Sequence, residues 1–108
     1  MVTETAELKR IVKVIVSAAA PDKIILFGSR ARGDHRPDSD YDFLIIKKRL
    51  RNERKLTRRL HQTFYDHKDI FVPIDLIAVN QAKYNRLKGD IGYIYKTIDR
   101  EGKILYEE

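Results

Sequence analysis

The sequence predicts an α/β (α+β) fold, with a small sheet of at least three strands flanked by helices. Three observations predict it. Apolar residues at helical spacing alternate with short, unbroken β-branched runs, and turn formers separate the two kinds of segment. The 108 residues, 43% of them hydrophobic, suit one core, so residues 1–108 read as a single domain.

From about Thr5 to Ala20, Leu8, Ile11, Val12, Ile15, Ala18 and Ala19 recur at helical spacing, with Glu7, Lys9, Arg10 and Lys13 largely on the other side. Pro21 ends this helix, because proline disfavours helical geometry in the residue before it. Lys23 to Phe27 shows no alternation and reads as a strand buried on both faces. Gly28 ends it, and Ser29 reads as the N-cap of a short helical turn through Arg32 that Gly33 terminates. Asp34 to Ser39 reads as loop, and Tyr41 to Ile46 as a second buried strand. Asn52 is expected to cap a helix to Tyr65 on which Leu56, Leu60 and Phe64 lie four apart. Phe71 to Val79 is expected as a third strand, with Pro73 near its start, where a missing N–H is tolerated. Strand, helix, strand in this order favours a right-handed crossover between parallel strands. Asn80 is expected to cap a helix through Leu87, and Asp90 another through about Arg100, closed by Gly102. Lys103 to Tyr106 reads as an edge strand or a tail.

Composition narrows the function classes. Lys and Arg number 22 against 16 Asp and Glu, and the resulting +6 favours polyanionic partners. Positions 47–59 hold Lys47, Lys48, Arg49, Arg51, Arg54, Lys55, Arg58 and Arg59 with only Glu53 in opposition. That run reads as a solvated helix face, with partner or RNA contact as the other reading. There is no cysteine, which excludes disulfides, thiolate metal sites and a cysteine nucleophile. Glu4 and Glu7 stand where a signal peptide would be basic, and no apolar run approaches a membrane span. A cytoplasmic protein with no membrane association is the expectation.

The chemistry concentrates between the first two strands. Asp40 and Asp42 are two apart, so in extended backbone both carboxylates project to one side and can share a hard divalent cation such as magnesium. Asp75 interrupts the apolar run from Val72 to Val79, where an ionised side chain is costly to bury unless paired. If its strand lies beside the second, Asp75 faces Asp40 and Asp42, and three carboxylates could hold two metal ions. A structural ion pair is the other reading of Asp75. At the opposite end of the loop, Gly28 permits close backbone approach, Ser29 offers a hydroxyl, and the helical turn offers free N–H groups to a phosphate. Arg30 and Arg32 lie on the same element and could neutralise phosphate charge.

Gly28-Ser29, ten intervening residues, then Asp40-Tyr41-Asp42 resembles the GS-x10-DxD signature of the polymerase-beta-like nucleotidyltransferase superfamily. The fuller Gly-Ser-Arg-Ala-Arg-Gly with Ser-Asp-Tyr-Asp resembles its minimal nucleotidyltransferase (MNT) branch, the MntA-type antitoxins of HEPN/MNT toxin–antitoxin systems. The resemblance covers nearly the whole chain in element order and residues 24 to 46 plus the Asp75 strand in detail. It implies a polymerase-beta-like fold with a small mixed sheet. It also implies a catalytic and metal-binding set of Asp40, Asp42 and Asp75, with the triphosphate of ATP held at Gly28 and Ser29. By the same resemblance the chain transfers AMP from ATP, with magnesium, to a tyrosine hydroxyl of a HEPN-type ribonuclease toxin. Larger relatives carry an extra domain for the acceptor, and 108 residues leave no room for one. The acceptor surface is therefore expected from a partner or a second copy of the chain. The rival readings are a non-catalytic antitoxin that neutralises its toxin by complex formation, and nucleotidyl transfer to RNA or a small molecule.

Overall fold

The computed structural model describes residues 5–108, so Glu4 lies outside the described residues. In chain order the elements are α1 (Ala6–Ala19), β1 (Lys23–Phe27), α2 (Ser29–Arg32), β2 (Tyr41–Lys47), α3 (Glu53–Asp66), β3 (Ile74–Asn80), α4 (Gln81–Leu87), α5 (Ile94–Glu101) and β4 (Lys103–Glu107). The four strands form one mixed sheet in the order β3-β2-β1-β4. β1 is antiparallel to both its neighbours, and β2 and β3 are parallel, as the α3 crossover between them requires.

Local capping sets the helix starts. The Thr5 hydroxyl accepts from the Leu8 N–H at 3.1 Å, and the Asn52 side chain accepts from the Lys55 N–H at 2.9 Å. Asn80 does the same for the Ala82 N–H at 2.8 Å. α1 closes through Ala20, which turns left-handed ahead of Pro21.

The sheet buries both faces, which explains why its central strands lack alternation. Leu8, Ile11 and Ile15 of α1 and Leu56 and Leu60 of α3 pack on Ile24, Leu26, Tyr41, Phe43, Ile45, Leu76 and Ala78. Tyr84 of α4 with Tyr95 and Ile98 of α5 cover Ile25, Leu44, Ile46 and Val79 on the other face. Side-chain alternation therefore sends Tyr41 into the first layer and leaves Asp42 on the face of the second.

The structure corrects three boundaries and resolves a fourth. The third strand starts at Ile74 and not at Phe71, whose side chain is 88% exposed. Pro73 has no N–H to give a ladder, but its carbonyl accepts from the Tyr41 N–H at 3.0 Å, the contact that leads into the β2–β3 pairing. The last helix starts at Ile94 and not after Asp90. The Asp90 carboxylate instead closes a turn by accepting from the Gly92 N–H at 3.0 Å. Ser29 is the first residue of α2, not its cap, which is Gly28. Lys103 to Tyr106 belongs to a true edge strand, β4, whose ladder with β1 is offset between Ile24 and Ile25.

The turn into β4 depends on a missing side chain. A Cβ on Gly102 would meet the Ile25 side chain and stand 2.5 Å from the Ile98 carbonyl oxygen. Gly102→Ala is expected to destabilise the fold by about 1–3 kcal/mol, as overpacking does. Gly89→Ala, at a site with nothing within 4 Å, is expected to change the thermal midpoint little, and thermal unfolding of the two variants checks the contrast.

Candidate active site

Gly28 makes the turn that links β1 to the site. Its φ of 76° is one that side chains rarely adopt, and the Asp42 carboxylate occupies the space a Cβ would need, with the Asp42 Cγ only 3.2 Å from that position. The Gly28 carbonyl accepts from the Ala31 and Arg32 N–H groups, both at 3.1 Å, which winds α2 immediately. Gly33, with φ 86°, closes α2 by donating its N–H to the Ser29 carbonyl at 2.9 Å. The Ser29 hydroxyl makes no hydrogen bond among the described residues.

The structure brings Asp40, Asp42 and Asp75 together. Asp42 in β2 stands directly opposite Asp75 in the parallel register with β3, and Asp40 precedes Asp42 by two residues on the same side. One carboxylate oxygen from each lies within 4.8 Å of the others. Asp75 was expected inside an apolar strand, yet it is exposed, because β3 is an edge strand and the second helical layer packs nearer its far end. Neither it nor the other two carboxylates takes part in an ion pair among the described residues.

Arg30 and Arg32 point in different directions. Arg30 donates twice to the Ser39 carbonyl, at 3.1 and 2.9 Å, and once to the Pro37 carbonyl at 3.1 Å. Its guanidinium also stacks on the Tyr41 ring, 4.1 Å from the centroid. The Tyr41 hydroxyl donates to Glu7 of α1 at 3.2 Å. Arg30 thus braces the loop that delivers Asp40, and Tyr41 anchors that brace to α1. Arg32 is more exposed, pairing with Asp34 at 3.2 Å and reaching Glu101 at 3.9 Å. The Tyr41 and Glu7 contacts were not singled out from sequence, and neither was the brace, since its acceptors are backbone carbonyls that any residue supplies.

Electrostatics follow from this crowding. Burial pushes the Asp42 carboxyl above the usual carboxylate range, Asp75 and Asp40 push it further, and Arg32 opposes them. Three converging oxygen donors that form no ion pair among the described residues fit a hard divalent ion such as magnesium, which leaves positions open for water and phosphate. Because the folded chain holds the Asp42 proton more tightly than the unfolded chain, this group stabilises the cation-free fold at acid pH. The contribution is lost as pH rises through the raised pKa. Asp42→Asn is therefore expected to raise the thermal midpoint of the cation-free protein at neutral pH, with the gain vanishing below the carboxylate range. Magnesium or manganese is expected to stabilise the wild type by about 2.7 kcal/mol at a hundredfold excess over Kd. The same titration should leave the Asp42→Asn midpoint almost unmoved.

Comparison with known proteins places this geometry in a family. The polymerase beta nucleotidyltransferase pattern matches residues 9–108. No curated protein matches the chain significantly by sequence. Among solved structures, the fold is similar to that of a toxin–antitoxin crystallised with AMP-PNP, with a TM-score of 0.61 and 19% identity over 96% of this chain and 75% of that one. It is similar also to a candidate nucleotidyltransferase of Sulfolobus solfataricus, with a TM-score of 0.59 and 16% identity over 100% of this chain and 93% of that one. A mutant form of the toxin–antitoxin MntA–HpeT gives a TM-score of 0.60 and 17% identity over 96% and 75% of the two chains. With the family pattern running through nearly every element from α1 to β4, the chain belongs to the polymerase beta nucleotidyltransferase family.

Proposed function

We propose that the chain is a magnesium-dependent nucleotidyltransferase that serves as an antitoxin, moving AMP from ATP onto a tyrosine hydroxyl of a HEPN-type ribonuclease toxin. The observation that carries the reading is the convergence of Asp40, Asp42 and Asp75 beside the Gly28-Ser29 turn. The toxin–antitoxin nature of two similar structures, one crystallised with an ATP analogue, supports the choice of partner and nucleotide.

In this reading the Gly28-Ser29 turn would receive the triphosphate, and Asp40, Asp42 and Asp75 would hold two magnesium ions. Bound there, the ions would neutralise the phosphates and favour the attacking tyrosine oxygen as a phenolate. The tyrosine oxygen attacks the α-phosphorus, a P–O bond to AMP forms, and pyrophosphate leaves with the old bond's electrons. Asp75, the carboxylate on the edge strand, would take the hydroxyl proton. Arg32 sits on the exposed rim to meet phosphate charge, whereas Arg30 contributes by holding the Asp40 loop. Two of the three carboxylates, Asp40 and Asp75, are exposed, and in this reading the toxin supplies the acceptor surface.

Incubation with ATP labelled on its α-phosphate, magnesium and the partner toxin is expected to label the toxin. Asp40→Asn and Asp42→Asn should each reduce labelling at least a hundredfold, roughly the loss expected when a principal transition-state stabiliser is removed. Labelling that survives both changes sinks the catalytic reading. Neutralisation of the toxin without labelling would identify an antitoxin that acts by binding. Arg30→Gln is expected to lower kcat and weaken magnesium affinity with little change in the KM for ATP. A rise in that KM alone would make Arg30 a phosphate ligand.

A further inference from the structure

The outer face of α3 and the loop before it form an electropositive surface that the nucleotidyl-transfer reading does not use. Residues 47–59 carry eight cations and one carboxylate, a net +7 that exceeds the +6 of the whole chain. All of the protein's positive excess thus lies in thirteen consecutive residues. They begin at the end of β2 farthest from Asp42 and run along α3, whose buried side packs on the opposite face of the sheet from the carboxylates.

Two of the eight cations have structural partners. Lys47 donates to the Ala19 carbonyl at 2.6 Å and Arg59 to the Ala18 carbonyl at 2.7 Å, where the free carbonyls of the α1 C-terminus favour positive charge. Glu53 is also committed, accepting from the Asn80 N–H and the Lys83 ammonium, both at 3.0 Å. The remaining six, Lys48, Arg49, Arg51, Arg54, Lys55 and Arg58, are exposed, and none joins an ion pair among the described residues. Like charges at helical neighbour positions repel, so the isolated protein gains nothing from this grouping. A polyanion would reverse the sign of that interaction.

The pattern along the helix identifies which polyanion. Arg54, Arg58, His61 and Tyr65 are spaced four, three and four residues apart, so they form one outward row about 16 Å long at 1.5 Å per residue. All four are exposed, Tyr65 at 71%, with the Lys68 ammonium 4.2 Å from its ring centroid. Arginines that neutralise phosphates, followed on the same line by an exposed aromatic ring with a lysine over one face, are the elements of a surface for unpaired bases. An acidic protein face would engage the cations and leave Tyr65 without a role, and a duplex has no unstacked base to place on it. RNA presents such bases in loops and at ends. We propose that the outer face of α3, with the Lys48–Arg51 loop, binds single-stranded RNA, its phosphates on Lys48, Arg51, Arg54 and Arg58 and a base on Tyr65.

The test is fluorescence anisotropy of a labelled single-stranded RNA of about a dozen nucleotides against the full chain across a salt series. Four phosphate contacts predict a log–log salt slope of about −3. Arg54→Gln with Arg58→Gln should make that slope shallower by about 1.4. Tyr65→Ala, which leaves the charge alone, should weaken binding roughly 5- to 100-fold with the slope unchanged. Retention of the magnesium-induced thermal shift in each variant shows that its fold and carboxylate group are intact. Toxin labelling by the RNA-deficient variants separates this surface from the carboxylate site, so either reading can fail without the other. Failure to bind at low salt, an unchanged affinity in Tyr65→Ala, or equally tight binding of duplex RNA, single-stranded DNA or polyglutamate would overturn the proposal.

Discussion

Three carboxylates are held together against their mutual repulsion, and the parallel register of β2 on β3 is what holds them. That register puts Asp42 opposite Asp75, and a slip of one residue would send Asp75 to the opposite face of the sheet. The slip is prevented by the apolar residues that follow. Leu76 and Ala78 pack into the layer under α1 and α3, while Val79 packs under α4 and α5, so both faces of β3 are specified at once. The core therefore does more than stabilise the fold, because its two-sided packing supplies the free energy that keeps like charges in contact.

The loop between α2 and β2 meets a similar demand with different chemistry. Asp34 to Ser39 is exposed for almost its whole length and contributes no residue to the core. Its end is fixed instead by Arg30, whose planar guanidinium holds two backbone carbonyls and lies on Tyr41 at the same time. Tyr41 in turn reaches α1 through Glu7. The position of Asp40 is thus tied to the first helix by a chain of side chains, and Gly28 brings the end of β1 against Asp42 from the other direction.

Much of this was legible from residue patterns. Helical periodicity in α1 and α3 and the unbroken apolar runs of β1 and β2 located four elements, and the two-residue spacing of Asp40 and Asp42 implied a shared side. What sequence obscured were the long-range and backbone-mediated features. Nothing in Lys103 to Tyr106 says that it pairs with β1, since antiparallel partners distant in sequence leave no local mark. Asp75 stood out as a charge in an apolar run, but its exposure depends on β3 lying at the sheet edge, which only the strand order reveals. Phe71 reads as strand by propensity, yet it precedes Pro73 and lies outside the ladder. Asp90 has the chemistry of a helix cap and uses it on a tight turn.

The edge position of β3 has a bearing on solubility. An unpaired strand edge is a template on which another chain can add a strand, and natural sheets blunt such edges with proline and with charged side chains. β3 has both at its start, Pro73 just before it and the exposed Asp75 as its second residue. The carboxylate that completes the acidic group therefore also guards the sheet against growth from that side. Loss of its charge would remove one carboxylate of the acidic group and an aggregation gatekeeper together.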